Sequence, residues 1–293
     1  MRRPKRLVDG SVGCAIRAAP IAVGAVIRAA PIAVSAVIRA AMLTADPRAK
    51  AMAARAVARD WGLGRLSPDC TAPMPDVPAR PSLPELLPPN RMPKRGRGGS
   101  ERGRIALLHA IAHIEFVAID LALDMAGRFG GGRGPAFITD WLSVAADEAM
   151  HFALIDRRLR TLGSHYGAMP AHDGLWDAAR DTAHDVAARL AVVPLVLEAR
   201  ALDVTPIMIA RFKAAGDLRT ARILTRILDD EINHVRFGTT HFTAVCEERK
   251  ESAPQLWQLL VERHFRGTIK PPFNDSARRS AGLSRLSASA LAS

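Results

Sequence analysis

Residues 147–151, Asp-Glu-Ala-Met-His, and residues 230–234, Asp-Glu-Ile-Asn-His, repeat one pattern at an offset of 83 positions. In each half a further glutamate, Glu115 or Glu198, lies 33 positions before the glutamate of the Glu-x-x-His motif. Five positions recur with this offset: Glu115, Asp120, Asp147, Glu148 and His151 match Glu198, Asp203, Asp230, Glu231 and His234. A lone Glu followed by Glu-x-x-His, present twice, is the ligand set with which a four-helix bundle holds two metal ions. The repeat therefore predicts a metal centre.

Helical periodicity places these side chains in the interior. Residues three apart lie on one face of an α-helix, so Glu148 and His151 can reach the same ion, as can Glu231 and His234. Each of the four glutamates interrupts an apolar stripe that we expect to face the core. A buried carboxylate is costly unless it is paired or bound to a metal. Buried ion pairs with nearby arginines such as Arg200 are the alternative, but they do not account for a constant offset at five positions.

Each half also has the features of a helical hairpin. The segment Phe-Gly-Gly-Gly-Arg-Gly-Pro (129–135) is a helix stop midway between the first two glutamates, and Ala-Gly-Asp (215–217) lies midway between the second two. Each glutamate is then about 16 residues, or roughly 24 Å, from its turn, so the pair lies level across the hairpin. The stretch 162–183 joins the hairpins. The sequence predicts an all-α fold: a four-helix bundle of two hairpins with one long crossover.

The third helix of this bundle contains two prolines. Pro194 lies inside it, and Thr205-Pro206 resembles an N-cap followed by proline at the first helical position. We expect a kink or break near Val204. That position lies beyond Glu198, so the ligand itself need not be disturbed.

The other repeated acids have outer roles in this interpretation. Asp147 and Asp230 directly precede the motif glutamates, and we expect each to accept the free ring N–H of a ligand histidine from a neighbouring helix. The alternative is that both are solvated surface acids. Asp120 and Asp203 lie off the ligand stripe, where helix-face and salt-bridge roles are both open. The remaining histidines are assigned packing or outer roles, with His241 as a core histidine.

The flanking sequence divides into segments of different character. Residues 1–41 contain an 11-residue duplication punctuated by prolines, which predicts a low-complexity, disordered extension; a targeting peptide is the alternative. Residues 42–100 contain a short helix (46–61) and a proline-rich arm. Residues 101–250 form the bundle. Residues 251–293 contain a C-terminal helix (253–265), an irregular strap (266–274) and a disordered tail over the last eighteen residues.

Composition restricts the setting of the protein. The formal net charge is +12, with the excess mostly outside the bundle, and no nucleic-acid motif accompanies it. The three cysteines, Cys14, Cys70 and Cys246, form neither a disulfide framework nor a sulfur metal site, which fits a reducing cytoplasm. No apolar run free of arginine approaches 18 residues, so no transmembrane helix is expected.

With these residues identified, the chain resembles the bacterial ferritin-like family catalogued as domain of unknown function 455. The resemblance covers residues 43–283. It is carried by the motifs LLHAIAHIEFVAIDLALD (107–124), DWLSVAADEAMHF (140–152), AHDGLWDAARDTAHD (171–185), VVPLVLEARALDVTP (192–206), DDEINHVRFG (229–238) and HFRGTIKPPFN (264–274). It implies a ferritin-like fold, kinship with di-iron oxidases and tRNA hydroxylases, and carboxylate-bridged ligands at Glu115, Glu148, His151, Glu198, Glu231 and His234. It implies no substrate.

The leading hypothesis is a non-haem oxidoreductase that activates O₂ or peroxide with two Fe ions, or with Mn or mixed Mn/Fe, since carboxylates and imidazoles suit these metals. Its substrate would be a small molecule or a modified base, and nucleic-acid binding has only weak support in the basic flanks. Three alternatives are a metal-binding or iron-handling protein without an organic substrate, a tRNA-hydroxylase-like enzyme and a metal-free helical scaffold. The oligomeric state is left open, with a dimer compatible.

Overall fold

The computed structural model describes residues 31–92 and 100–283. Within them the chain is mostly helical, and the only sheet is a short parallel pair, β1 (Ile32–Ala33) with β2 (Leu66–Ser67). The expected all-α class is therefore confirmed. The extension predicted over residues 1–41 lies outside the described residues as far as position 30.

The first hairpin has two long helices with a single residue between them. Helix α3 spans Glu101–Arg133, and the Ser100 side chain caps it by accepting the N–H of Gly103 at 3.1 Å. Helix α4 spans Pro135–Thr161 and begins with a proline, which lacks the N–H that would go unused there. Gly134 between them has a φ of +85°, a conformation that favours glycine. Helix α3 therefore continues through Gly130–Gly132, and the chain turns only at Gly134, near the C-terminal end of the predicted stop segment 129–135.

The second hairpin begins with a composite helix. Helix α6 (Val186–Val192) leads into a π-helical segment (Val193–Glu198) and then into α7 (Ala199–Ala214). Helix α8 (Leu218–Arg249) returns after a turn at Gly216, whose φ is +75°. Helices α4 and α8 are in contact, which joins the two hairpins. Helix α5 (Gly174–Asp181) lies within the crossover and contacts α3.

The break expected near Val204 does not occur. Pro206 lies inside the continuous helix α7, and the irregularity falls instead at Pro194, within the π-helical segment that carries Glu198. Proline has no N–H to donate to the carbonyl four residues earlier, so a regular turn cannot form there without compensation. At Pro206 the compensation comes from outside the helix, because the side-chain amide of Asn274 donates to the carbonyl of Leu202 at 3.1 Å.

The segment before the bundle is more ordered than the sequence suggested. Helix α1 (Val34–Met42) packs on α3, and its Val34, Ile38 and Met42 are fully buried. Disorder was expected through residue 41, but residues 34–41 belong to helix α1. Helix α2 (Pro47–Gly62) matches the predicted short helix and packs on α4. Composition misled here because the repeat lacks acids and includes prolines, although its apolar residues have the spacing of a buried helix face.

The C-terminal segment wraps the second hairpin. Helix α9 (Ala253–His264) is followed by the irregular strap and by α10 (Asp275–Ser280). Ala277, Ala281 and Leu283 are buried, so the tail predicted as disordered is ordered as far as 283. Residues 284–293 lie outside the described part of the chain.

Helix α3 is long and apolar enough, by length and composition alone, to cross a membrane. The expectation that no apolar run approaches that length is therefore wrong for this helix, because its interior contains Glu, Asp and His but no arginine over 105–127. The structure shows that 72% of its most apolar window is buried inside the protein. Its apolar surface is thus covered by the neighbouring helices.

Candidate metal centre

The elements above bring the predicted ligands into one region of the interior. Glu115 comes from α3, Glu148 and His151 from α4, Glu198 from the π-helical segment, and Glu231 and His234 from α8. All except Glu198 are buried, with at most 5% of the residue exposed. Glu198 is partly buried, but its Oε2 atom is enclosed.

Four of these residues form a compact donor group. One ligand atom from each of Glu115, Glu148, His151 and Glu231 lies within 4.8 Å of the others. His151 Nδ1 lies 3.2 Å from Glu115 Oε2 and 3.5 Å from Glu148 Oε2. A buried group of three carboxylates and one imidazole with this spacing could hold a metal ion.

Glu148 occupies the middle of the cluster. Its Oε2 atom faces His151, and its Oε1 atom lies 3.1 Å from His234 Nδ1. His234 Nδ1 is also 3.5 Å from Glu231 Oε2. One carboxylate therefore contacts the inward nitrogens of both histidines, and this links the two halves of the repeat.

The carboxylates of the cluster repel one another electrostatically. Burial and the charge of Glu148 raise the pKa of Glu115 well above its usual range. Burial and Glu148 also raise the pKa of Glu231, and burial with the charges of Glu231 and Glu148 raises the pKa of Glu198 to about 8. Burial opposes ionisation of Glu148 as well, but the adjacent His151 and His234 rings prevail and lower its pKa. A cation at the centre would relieve this repulsion.

Several polar atoms of the cluster have no hydrogen-bond partner among the described residues. They are Glu148 Oε1 and Oε2, Glu198 Oε2, Glu231 Oε2 and His234 Nδ1. His234 Nδ1 and Glu148 Oε1 lie 3.1 Å apart, but they do not form a hydrogen bond. Buried polar atoms are normally satisfied, so unpartnered oxygens and a nitrogen that face one another call for an additional group. Oxygen and imidazole nitrogen are the donors that iron and manganese accept. The residues present therefore fit a metal centre.

Each histidine is held from behind by the aspartate of the other motif. His151 Nε2 donates to Asp230 Oδ2 at 3.1 Å, and His234 Nε2 faces Asp147 Oδ2 at 3.4 Å. A carboxylate can only accept, so Nε2 carries the proton and Nδ1 is left to face the cluster. Asp230 of α8 therefore stands behind His151 of α4, and Asp147 of α4 stands behind His234 of α8. Burial opposes a charged ring, but Asp230 and Glu115 raise the pKa of His151.

Sequence reasoning missed one residue of this outer layer. Arg226 Nε donates to Asp230 Oδ2 at 2.6 Å, and it stands four residues before Asp230 on the same helix. That spacing is the usual one for a helical ion pair and could have identified it. His241, expected in the core, is half-buried and pairs through Nε2 with Asp140 at 2.8 Å.

The other repeated pair, Asp120 and Asp203, forms salt bridges outside the cluster. Asp120 is fully buried and accepts from Lys50 Nζ at 2.7 Å and from Arg80. Asp203 accepts from Arg278 Nη2 at 2.7 Å and from the backbone N–H of Asn274 at 2.9 Å. The salt-bridge alternative therefore holds for both, and the partners come from the segments that flank the bundle.

Comparison with known proteins gives a family without an assigned activity. The family model described as "Protein of unknown function (DUF455)" matches residues 43–288. An uncharacterized protein of Haemophilus influenzae is 42% identical over 219 residues, which cover 73% of this chain and 76% of that protein. No solved structure matches. The buried carboxylate and imidazole cluster thus lies in a chain that belongs to the DUF455 family.

Proposed function

We propose that the chain is a ferritin-like di-metal protein and that it works as a non-haem oxidoreductase. One observation carries the proposal: a twofold repeated set of buried carboxylates and imidazoles faces inward, and several of their atoms have no hydrogen-bond partner in the described structure. Bound Fe or Mn ions would supply redox chemistry toward O₂ or peroxide.

The donor set selects among metals. No thiol stands among the inward residues, and buried Cys246 is not one of the cluster's donors, so the soft metals that prefer sulfur are disfavoured. Glu115 and His151 face one side of Glu148, and His234 faces the other. Glu148 could therefore contact both ions, and Glu198 and Glu231 would complete the set on the side of His234.

The protein contributes orientation and exclusion of water. Asp147 and Asp230 accept the Nε2–H of each histidine and orient its ring, so that the Nδ1 atoms face inward and can bind a metal ion once they carry no proton. The helices enclose the donors almost completely, which strengthens their electrostatic interaction with a cation. Six ligands shared by two ions also leave coordination positions open, which a catalytic centre needs and a structural site does not.

Metal analysis and oxygen uptake of the full-length protein test the proposal together. The protein should bind about two Fe ions per chain, as the repeated ligand set requires, and the reduced, iron-loaded form should consume O₂ or peroxide. Glu231→Ala should lose both iron and uptake, whereas Glu251→Ala, an exposed glutamate just beyond α8, should keep both. Absence of bound metal would overturn the proposal. Iron that binds but leaves O₂ and peroxide unconsumed would replace the redox role with a metal-handling one.

A further inference from the structure

The two halves of the repeat do not build equal metal positions. The compact donor group contains both glutamates and the histidine of the first half, Glu115, Glu148 and His151, together with Glu231. Glu198 and His234 are not members of this group, although His234 contacts Glu148 and Glu231. His234 Nδ1 lies 3.1 Å from Glu148 and 3.5 Å from Glu231, as close as His151 lies to its own glutamates. Both of these glutamates already belong to the compact group, so only Glu198 and His234 are left for a second position. A position whose donors are in place needs less rearrangement to bind an ion.

The aspartates behind the two histidines also differ, and the difference again favours the His151 position. Asp230, behind His151, is 13% exposed and is held by Arg226. Asp147, behind His234, is 39% exposed and stands 3.4 Å from its ring instead of 3.1 Å. The position equivalent to Arg226 in the first half is Ser143, whose hydroxyl donates to the Asp140 carbonyl instead.

These differences act on the ligand histidines. An aspartate that accepts the outer N–H fixes the ring and increases its donor strength toward a metal, and this effect is weaker when the aspartate is solvated or mobile. The Arg226 side chain is 59% exposed, but it donates to Asp230 Oδ2, and Asp230 is only 13% exposed, which reduces screening of this carboxylate by water. His151 is therefore the better oriented ligand of the two.

We propose that Arg226 is a positioning residue which, through Asp230, makes the His151 position the tighter of two unequal metal positions. The inference rests on the proposed function, because it requires that two ions bind. It assigns the first ion to Glu115, Glu148 and His151, and the second to the side of Glu198 and His234. Arg226 has no counterpart in the first half, so the symmetry of the repeat does not extend to the residues behind the histidines.

Titration of the full-length, metal-free protein with Mn(II) alone tests this, with free Mn(II) measured by electron paramagnetic resonance. The wild type should bind two ions with dissociation constants that differ by about tenfold or more. Asp230→Asn should weaken the tighter event by about 10- to 100-fold, and Arg226→Gln by about 3- to 10-fold. Asp147→Asn should weaken the second event and leave the first within about twofold.

The controls separate positioning from folding. Arg222→Gln changes an exposed arginine one turn before Arg226 and should leave both events unchanged. The melting temperature of each metal-free variant should stay close to that of the wild type. Equal affinities for the two ions, or a tighter event unaffected by Arg226→Gln, would overturn the inference and leave the proposed function standing. No binding of Mn(II) or Fe(II) by the wild type would overturn both.

Discussion

The side-chain amide of Asn274 donates a hydrogen bond to the carbonyl of Leu202, the group that Pro206 leaves without a helical donor. The strap thus supplies the hydrogen-bond donor that helix α7 lacks at Pro206. The Asn274 backbone N–H and Arg278 also bind Asp203, the next residue of the same turn. Helix α7 therefore continues past its proline because the C-terminal segment is docked on it.

Replacing Asn274 by alanine should lower the free energy of unfolding by about 1–2 kcal/mol, because the Leu202 carbonyl is left unsatisfied. Urea titration measures the loss. Asn274 also caps α10 by accepting the N–H of Ala277, so part of the loss has another origin. Pro206→Ala separates the two parts, since alanine restores a backbone N–H that can donate to the Leu202 carbonyl. The cost of Asn274→Ala should be smaller in that background; an equal cost would contradict the compensation.

Asp120→Asn should be far more damaging than the removal of a surface ion pair. The substitution leaves the Lys50 ammonium, which is fully buried, without its charged partner. Loss of one member of a buried pair costs roughly 3–5 kcal/mol. Asp177→Asn, which changes an exposed aspartate of α5, is the matched control and should change stability by less than about 0.5 kcal/mol. Chemical denaturation of both variants tests the expectation, which a small loss in Asp120→Asn would contradict.

The helices and helix faces that carry the cluster could be predicted because they follow from residue spacing and turn signals within short stretches of sequence. Glu148 and His151 share a helix face by spacing alone, and the turns at Gly134 and Gly216 set the reach of each hairpin. The aspartates behind the histidines followed from the same repeat. What remained out of reach depends on contacts between segments that are distant in sequence. The partner of Leu202 is 72 residues away, and no local pattern encodes it.

Burial of the N-terminal helix was missed for a related reason. Ile38 lies on α1 and fits against α3 at Gly127, where an added Cβ would stand 3.1 Å from Ile38 Cγ2 and 2.4 Å from Met74 Sδ. Glycine has a low helix propensity, so the sequence alone gives no reason for Gly127 inside α3. The reason is the close packing of Ile38 and Met74 on it, which leaves no room for a Cβ. Low-complexity composition indicated disorder over 31–41, while the complementary surface on α3 decided the structure.

Gly238→Ala should disturb the π-helical segment that carries Glu198. A Cβ at this position of α8 would lie 2.5 Å from Pro194 Cβ and 2.8 Å from its Cγ, and a proline ring has little freedom to yield. We expect a loss of about 1–3 kcal/mol from overpacking. Gly132→Ala, where an added Cβ meets nothing within 4 Å, should instead gain up to about 1 kcal/mol from helix propensity. Thermal unfolding compares the two, and a neutral Gly238→Ala would refute the close fit.

Glu115→Gln should separate stability from metal binding. Burial and the neighbouring Glu148 disfavour the Glu115 carboxylate, so a neutral amide of nearly the same shape should leave the metal-free protein at least as stable as the wild type. The same change removes a donor that lies 3.2 Å from His151 Nδ1, and stabilisation by added Mn(II) should fall sharply. For the wild type, an ion at about 100 times its dissociation constant adds about 2.7 kcal/mol. Glu262→Gln, an exposed change on α9, should retain that gain. Melting curves with and without Mn(II) decide the matter: a metal-free Glu115→Gln that is markedly destabilised would show that the carboxylate is needed for packing rather than for a cation.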